Sequence, residues 1–299
     1  MSSSQVIAVD LGQSGCRIKQ GEKVVTTERG KLVGESPEDS LRVIFSSLSG
    51  FQGEIAALSL TGLNGVASNA EQYAALCQQY FDSKKVVVID DGFAGFIGAL
   101  SGGNGVVLSI GGGVVSVGGR DGKFAHRDGL GSIFGDEGGG FWLGKNAITK
   151  TLGIRQGRGD DDEMLAYFFD ECSLFDNLEV KNDANAATLA IRTAKKVLDA
   201  ADAGVSTATA IVDEGAYLLA QTVVAAWYGS GGSKADSPEI VIQGGPARNL
   251  SYVTKIGLEI NAKLPNAIIV PSAGDNLDGA TWIAQNMHND APPLMRWAK

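Results

Sequence analysis

An acid, two glycines and a small hydroxyl stand together in Asp10-Leu11-Gly12-Gln13-Ser14-Gly15, directly after the apolar run Val6-Ile7-Ala8-Val9. A turn of this composition can cradle phosphate through its backbone N–H groups. Ser14 can add a hydroxyl, and Asp10 can hold Mg²⁺ through water. An ordinary N-terminal hairpin fits the same residues equally well. A second candidate is Asp90-Asp91, where the apolar strand Val86-Val87-Val88-Ile89 meets a helix. Adjacent acids on extended chain point to opposite sides. One can therefore cap the helix while the other faces a ligand, and a carboxylate there suits a hydroxyl attacking phosphorus, which it orients and deprotonates. Gly111-Gly112-Gly113 is a second turn fit for phosphate. Gly135-Asp136-Glu137-Gly138 sets two acids in a turn before a helix, either as a plain capped turn or as a ligand-facing one. Gln243-Gly244-Gly245, after a strand and before a helix, can seat an adenosine or its α-phosphate.

The elements that must position these residues follow from periodicity. Strands are expected at Val6–Val9, Arg17–Lys19 and Lys23–Thr27. A helix follows from Ser36, as cap, with Pro37 in the first turn, to about Leu48. Next come a strand at Ile55–Leu60, a helix at Asn69–Phe81, the strand Val86–Ile89 and a helix at Gly92–Leu100. The order then restarts with strands at Val106–Ile110, Val114–Val117 and Lys123–Arg127. A strand–glycine turn–strand–strand unit thus occurs twice, near residue 6 and near residue 106, which points to an internal duplication. Helices at Asn185–Ala203 and Ala208–Tyr228, strands at Ile240–Ile242 and Ile268–Val270, and a last helix at Gly279–Asn286 complete the reading. This is an α/β chain with hairpin edges and crossovers suited to parallel strands. Asp160-Asp161-Asp162-Glu163 reads as a charged helix start rather than a metal site.

Composition narrows the function classes. At 299 residues two domains are the natural expectation. A net charge of −9 argues against nucleic acid or an anionic membrane as partner. No signal peptide or long apolar span is readable, and three scattered cysteines suit a reducing compartment, so a cytoplasmic location is expected. Two histidines, neither beside a cysteine, argue against zinc or thiol catalysis. Gly139 to Asn146 comes near a P-loop pattern but ends in Asn146, and Phe141-Trp142 would crowd a phosphate, so that reading is rejected. Glycine is the compositional outlier, with 41 residues, roughly twice the usual share of about 7%. They concentrate between Gly102 and Gly153, where several turns must approach something closely.

Together these stretches resemble the actin-like ATPase superfamily, and within it the BadF/BadG/BcrA/BcrD ATPase family, whose best-known members are N-acetylglucosamine kinases. The resemblance implies a duplicated actin-like, ribonuclease H-like fold with two lobes and an interlobe cleft. The lobes would be residues 1–104 and 105–299, the second with a helical insertion, and the helix at 279–286 could pack back on the first lobe. It implies ATP held by Gly12, Gln13, Ser14, Gly15, Gly111, Gly112, Gly113, Gly244 and Gly245, with Mg²⁺ near Asp10. Asp91, in Asp90-Asp91-Gly92, matches the family's catalytic base. Thr61, Asp91, Gly112, Asp136 and Glu137 would meet a small-molecule sugar. The first loop lacks the family's Gly-Gly-Thr, the second lacks two hydroxyls, and Leu130 stands where an aromatic is usual. The resemblance implies ATP-dependent phosphorylation of an amino sugar, glucosamine or N-acetylglucosamine, at the 6-hydroxyl, and the departures point to an altered, unacetylated sugar. The competing reading is a nucleotide- and sugar-binding regulatory protein of the same fold without transfer chemistry. No nucleic acid or membrane partner is implied, a homodimer is left open, and the scattered cysteines speak against the iron–sulfur activator branch.

Overall fold

The computed structural model describes residues 5–13, 15–32, 34–176, 183–291 and 293–298. Ser14 therefore lies outside the described residues. The chain divides into two compact units, one formed by Met1–Asn104 with Pro271–Lys299, the other by Gly105–Val270.

The first unit holds β1 (Val6–Leu11), β2 (Cys16–Gln20), β3 (Lys23–Thr27), α1 (Pro37–Ser46), β4 (Ile55–Leu60), α2 (Glu71–Phe81), β5 (Lys85–Asp90) and α3 (Asp91–Leu100). To these the C-terminal segment adds α10 (Asn276–Asn286) and β11 (Met295–Trp297). The sheet order is β11-β5-β4-β1-β2-β3. The pairs β1–β4 and β4–β5 are parallel, whereas β1–β2, β2–β3 and β11–β5 are antiparallel. Strands β1 and β4 are buried at nearly every position, as expected of strands covered on both faces. Their apolar side chains join Leu41, Phe45, Tyr73 and Phe81 in one core.

The second unit repeats the plan with β6 (Gly105–Ile110), β7 (Val114–Arg120), β8 (Lys123–Asp128), β9 (Glu239–Gly244) and β10 (Ile268–Ile269) in the order β10-β9-β6-β7-β8. Again a three-strand antiparallel run is continued by two parallel strands. Strand for strand, β6–β10 reproduce β1–β5, so the duplication expected from the glycine turns is a duplication of topology. Between β8 and β9 lie α4 (Gly140–Arg155), α5 (Asp162–Tyr167), α6 (Phe169–Asp176), α7 (Asp183–Asp202) and α8 (Ser206–Gly229), and α9 (Leu250–Lys263) joins β9 to β10. The core of this unit is built on α8, whose Ile211, Leu219, Val223 and Trp227 pack with Leu108, Leu143 and Tyr252. The acidic run at Asp160 begins α5, with Asp161 accepting from the Met164 amide at 2.8 Å as its cap.

Two sequence expectations change. Residues 271–299 are counted with the second lobe in the sequence reading, with the last helix packing back on the first; in the structure the whole segment groups with the first unit, where α10 packs along α3 and β11 adds an edge strand beside β5. The last helix also starts earlier, at Asn276, because Asp275 and Asp278 form a reciprocal capping box. The α3–α10 crossing is closer than side chains allow. A Cβ on Gly279 would overlap the Ala94 carbonyl oxygen, and one on Gly98 would overlap that of Asp275. We expect Gly279→Ala to cost at least about 1–3 kcal/mol, as overpacking of a tight contact does. Urea unfolding followed by circular dichroism measures this, and an unchanged midpoint would contradict the backbone-to-backbone crossing.

Candidate functional site

In the first unit the acids gather at the carboxyl ends of the parallel strands, where open α/β sheets bind ligands. The register sets Asp10 beside Ser59 and Leu60 beside Asp90. The two adjacent acids divide their roles. Asp90 is 1% exposed, and its carboxylate accepts from the Gly65 amide at 2.9 Å and the Phe93 amide at 3.2 Å, so it caps α3 and pins the loop after β4. Asp91 begins the helix, and its Oδ1 accepts from its neighbour's amide, Gly92, at 2.9 Å. Burial pushes the Asp91 carboxyl up to about 7, aided by the charges of Asp90 and Asp10, while a hydrogen bond from Thr61 and the Gly92 amide pull the other way. Asp91 is thus a carboxylate that exchanges its proton near neutral pH, which is what a general base requires.

The first glycine turn is closed by the Gly12 amide donating to the Gly15 carbonyl at 2.9 Å. Gly30 backs onto it so closely that a Cβ there would overlap the carbonyls of Gly12 and Gln13. Asp10, at the mouth of this turn, accepts four hydrogen bonds. Oδ1 takes the Ser59 hydroxyl at 3.2 Å and the Asn276 amide at 3.1 Å, and Oδ2 takes Arg17 Nη2 at 2.6 Å and Nε at 3.2 Å. Four bonds use all the lone-pair directions of a carboxylate. Asp10 therefore does not fit a direct metal ligand as it stands, and among the described residues no group of three or more acids, histidines or cysteines could hold a metal ion. Arg17 and Asn276 are site residues that sequence reading missed. The signal for Arg17 was available: in a hairpin closing at Gly12–Gly15, residue 17 lies directly opposite residue 10.

In the second unit, Gly111-Gly112-Gly113 turns between β6 and β7. The Gly111 amide donates to the Gly113 carbonyl at 2.8 Å. The first turn of α4 holds the other side, with the amides of Gly140 and Phe141 donating to the carbonyls of Gly111 and Gly112 at 2.8 and 2.9 Å. The amides of Gly112 and Gly113 are left without an acceptor among the described residues. Beside this turn lies a cavity of about 590 Å³, lined by Gly111, Gly112 and Gly140, by Ile191, Arg192 and Lys195 of α7, and by Gly245, Pro246 and Arg248. It brings together Gly111, Gly112 and Gly245, expected as nucleotide-facing from sequence alone. Gly244 is needed for a different reason: its φ is 107°, and a Cβ would strike the Ile110 carbonyl. The Gly139–Asn146 stretch is the start of α4, with Phe141 and Trp142 in its first turn, not a phosphate loop. A larger cavity of about 910 Å³ in the first unit is bounded by Ile55, Lys85 and Val86, at the amino ends of β4 and β5, the edge opposite Asp90.

Asp136 turns out to be a brace. Its Oδ1 accepts from the Val114 amide at 2.8 Å, its own amide donates to Asp128 at 2.9 Å, and its carboxylate lies against the Cα of Gly113, where a Cβ would collide with it. Burial lifts its carboxyl above the usual range, the Val114 amide offsets part of that lift, and Asp128 adds to it. Asp136 and Asp128 both adopt positive φ, 61° and 62°, so the loop between them is held in a strained form by its contacts. Glu137 is exposed, as is Leu130. Gly138 is anchored by the Tyr252 hydroxyl, which donates to its carbonyl at 2.8 Å.

The chain belongs to the BadF/BadG/BcrA/BcrD ATPase family, whose sequence profile matches residues 2–280. Among solved structures it resembles a Chromobacterium violaceum protein described as a "Putative N-acetylglucosamine Kinase". That likeness has a TM-score of 0.65 at 20% identity and covers 94% of this chain and 99% of that one. A Porphyromonas gingivalis protein with the same description gives 0.64 at 15% identity, over 94% and 99%. A ROK family glucokinase from Streptomyces griseus, solved with glucose and AMPPNP, gives 0.58 at 14% identity, over 94% and 98%. No curated protein matches the chain. These likenesses establish the duplicated actin-like α/β fold.

The bracing role of Asp136 has a ligand-free consequence. Asp136→Ala should destabilise the protein by about 1–3 kcal/mol through the unpaired Val114 amide, and Asp136→Asn, which can still accept from that amide, by less. Denaturant unfolding without nucleotide or sugar reads both. Equal stability of Asp136→Ala and wild type would remove the brace.

Proposed function

We propose that the protein is an ATP-dependent sugar kinase that transfers the γ-phosphoryl group of ATP to an amino sugar, glucosamine or N-acetylglucosamine, at the 6-hydroxyl. The observation that carries the reading is Asp91: a half-buried carboxyl, raised to about 7, at the carboxyl edge of a parallel sheet beside Thr61. Family membership supports the use of ATP, and the kinase relatives with bound or named sugars support the acceptor class. Asp91 orients the sugar hydroxyl and accepts its proton as the new O–P bond forms and the bond from the γ-phosphorus to the β,γ-bridging oxygen breaks, releasing ADP. Thr61, bonded to Asp91, fixes the direction of that carboxylate. In the second unit, the cavity beside Gly111, Gly112 and Gly245 takes the nucleotide, with the unpaired amides of Gly112 and Gly113 as donors to phosphate oxygens. Asp136, whose Oδ1 is engaged by the Val114 amide, and the exposed Glu137 beside it are the acids that bind ring hydroxyls. Mg²⁺ accompanies ATP in this reaction class and neutralises phosphate charge; because Asp10 is saturated by its own neighbours, no step here passes through it.

Asp91→Asn should lower kcat by roughly 10²–10⁴-fold, the usual share of a general base, while leaving nucleotide binding intact. In the wild type, kcat/KM should rise with pH through an apparent pKa of about 7 as Asp91 ionises. The same group acts on stability with the opposite sense. Its folded pKa lies above the unfolded value of 3.8, so its contribution is present below about pH 4 and lost as pH rises towards 7. Asp91→Asn should lack that loss. A wild-type pH profile flat from 6 to 8, or transfer undiminished in Asp91→Asn, would show that Asp91 is not the base.

The acceptor is tested with coupled ADP release over amino sugars and hexoses. Gly112, Val114 and Leu130 stand where relatives of the resemblance carry larger or hydroxylated residues. Glucosamine should therefore be phosphorylated at least as well as N-acetylglucosamine; a strong preference for the acetylated sugar contradicts this. If no sugar in the panel elicits transfer while nucleotide still binds, the protein is a binding module of the same fold, a reading that the hydroxyl-free Gly111–Val114 turn already favours.

A further inference from the structure

Tyr252 does more than anchor Gly138. Its side chain is fully buried. Its hydroxyl donates to the Gly138 carbonyl at 2.8 Å, and burial pushes the phenol above its ordinary pKa, so it stays protonated and remains a donor. At the other end of the residue, the Tyr252 amide donates to Asn249 Oδ1 at 2.7 Å. Asn249 Nδ2 in turn donates at 2.7 Å to Asp202 Oδ2, on the last residue of α7. Asn249 and α7 both line the cavity beside the second glycine turn. One hydrogen-bonded chain, Asp202–Asn249–Tyr252–Gly138, therefore joins two walls of that cavity to the segment on which the turn rests.

That segment is Gly138-Gly139-Gly140, and each of its residues meets a different piece of backbone. A Cβ on Gly138 would lie 2.7 Å from the Gly215 carbonyl of α8, one on Gly139 3.1 Å from the Gly112 carbonyl, and one on Gly140 2.9 Å from the Gly111 carbonyl. The glycine runs 111–113 and 138–140 thus pack backbone on backbone, fastened by the amides of Gly140 and Phe141. No side chain lies between them to absorb a shift, so a displacement of Gly138 is passed on to the turn. Gly215 keeps the place of the tyrosine hydroxyl open, since a Cβ there would lie 2.7 Å from it.

We infer that Tyr252 is a positioning residue for nucleotide binding: through Gly138 it fixes the Gly111–Gly113 turn, through Asn249 it fixes the facing wall, and it so sets the spacing between the two. The hold on the turn stands on the hydrogen bonds and the close glycine packing. The effect on a ligand rests on the nucleotide reading of this cavity given above. Without the hydroxyl, the Gly138 carbonyl loses its partner inside the protein, the seat of the turn loosens, and the amides of Gly112 and Gly113 lose their fixed direction.

Three variants test this. Tyr252→Phe removes only the hydroxyl. Gly215→Ala keeps the hydroxyl but displaces it, while favouring the helix it sits in. Ile256→Val, one turn further along α9 and fully buried, trims the same core without touching the chain of hydrogen bonds, and so controls for a loss of stability by itself. Hydrogen–deuterium exchange of the nucleotide-free protein over residues 110–116 reads the turn, and calorimetry with ADP reads the cavity. Exchange over 110–116 should quicken in Tyr252→Phe and Gly215→Ala and stay at the wild-type rate in Ile256→Val. ADP should bind about tenfold more weakly to the first two, the worth of one hydrogen bond, and with wild-type affinity to the third. Unchanged exchange in both Tyr252→Phe and Gly215→Ala would overturn the hold on the turn. Unchanged ADP affinity in Tyr252→Phe, or an equal loss in Ile256→Val, would overturn the positioning role. If the wild type binds no ADP, the nucleotide reading fails, and the exchange comparison still decides whether Tyr252 holds the turn. Should Tyr252→Phe not fold, Gly215→Ala carries both measurements.

Discussion

The close crossing of α3 and α10 is the contact on which the rest of the first unit depends. Gly98 and Gly279 let the two backbones approach without intervening side chains. That approach delivers the first turn of α10 to the mouth of the β1–β2 hairpin. There Asp275, Asn276 and Asp278 meet Arg17, Asp10 and Lys19. A larger residue at either glycine would move the helix start, and with it three of the partners that set the charge around Asp10. Packing of the plainest kind thus governs the electrostatics of the site.

The second unit solves a similar problem with different parts. Among the described residues no arginine bonds the acid that braces its glycine turn, although Arg192 and Arg248 line the cavity beside it. The turn is gripped by the α4 terminus on one side and by the Asp136 carboxylate on the other. The same hairpin topology therefore carries a cation from its own second strand in one copy, and in the other a turn whose neighbouring cations come from helices and loops outside the hairpin. A duplicated fold leaves the two copies free to diverge, because each needs only to keep its own sheet and its own turn.

Much of this was legible in the sequence, and the limits have physical causes. The turn glycines, the Asp90–Asp91 division of labour and the repeated hairpin are local features, set by residues within a few positions of one another. The brace at Asp136 was half visible, as acids hemmed in by glycines, but its partner amide at Val114 is 22 residues away. For residues 271–299 only the return of the last helix to the first lobe was legible, from the resemblance; that the final strand completes the first sheet was not, since chain order gives no hint of it. Strand β11 is three residues long and is defined by its pairing with β5, not by its own composition. Arg17 was missed although hairpin register placed it opposite Asp10, because that pairing follows from where the hairpin closes and not from the acid, glycines and hydroxyl of the turn.

The first unit is discontinuous in the chain, and this orders its biosynthesis. Residues 1–104 leave the ribosome long before 271–299, and all of Gly105–Val270 is made in between. While that stretch is being synthesised, the β5 edge has no β11, α3 has no α10, and Arg17 has no Asp275. Domains form as units during translation, so the second unit can fold from a contiguous stretch while the first waits for its final residues. The charge arrangement around Asp10 is then the last part of the molecule to be assembled, and a nascent or truncated chain ending before α10 has the acid and the arginine but not the helix that fixes them.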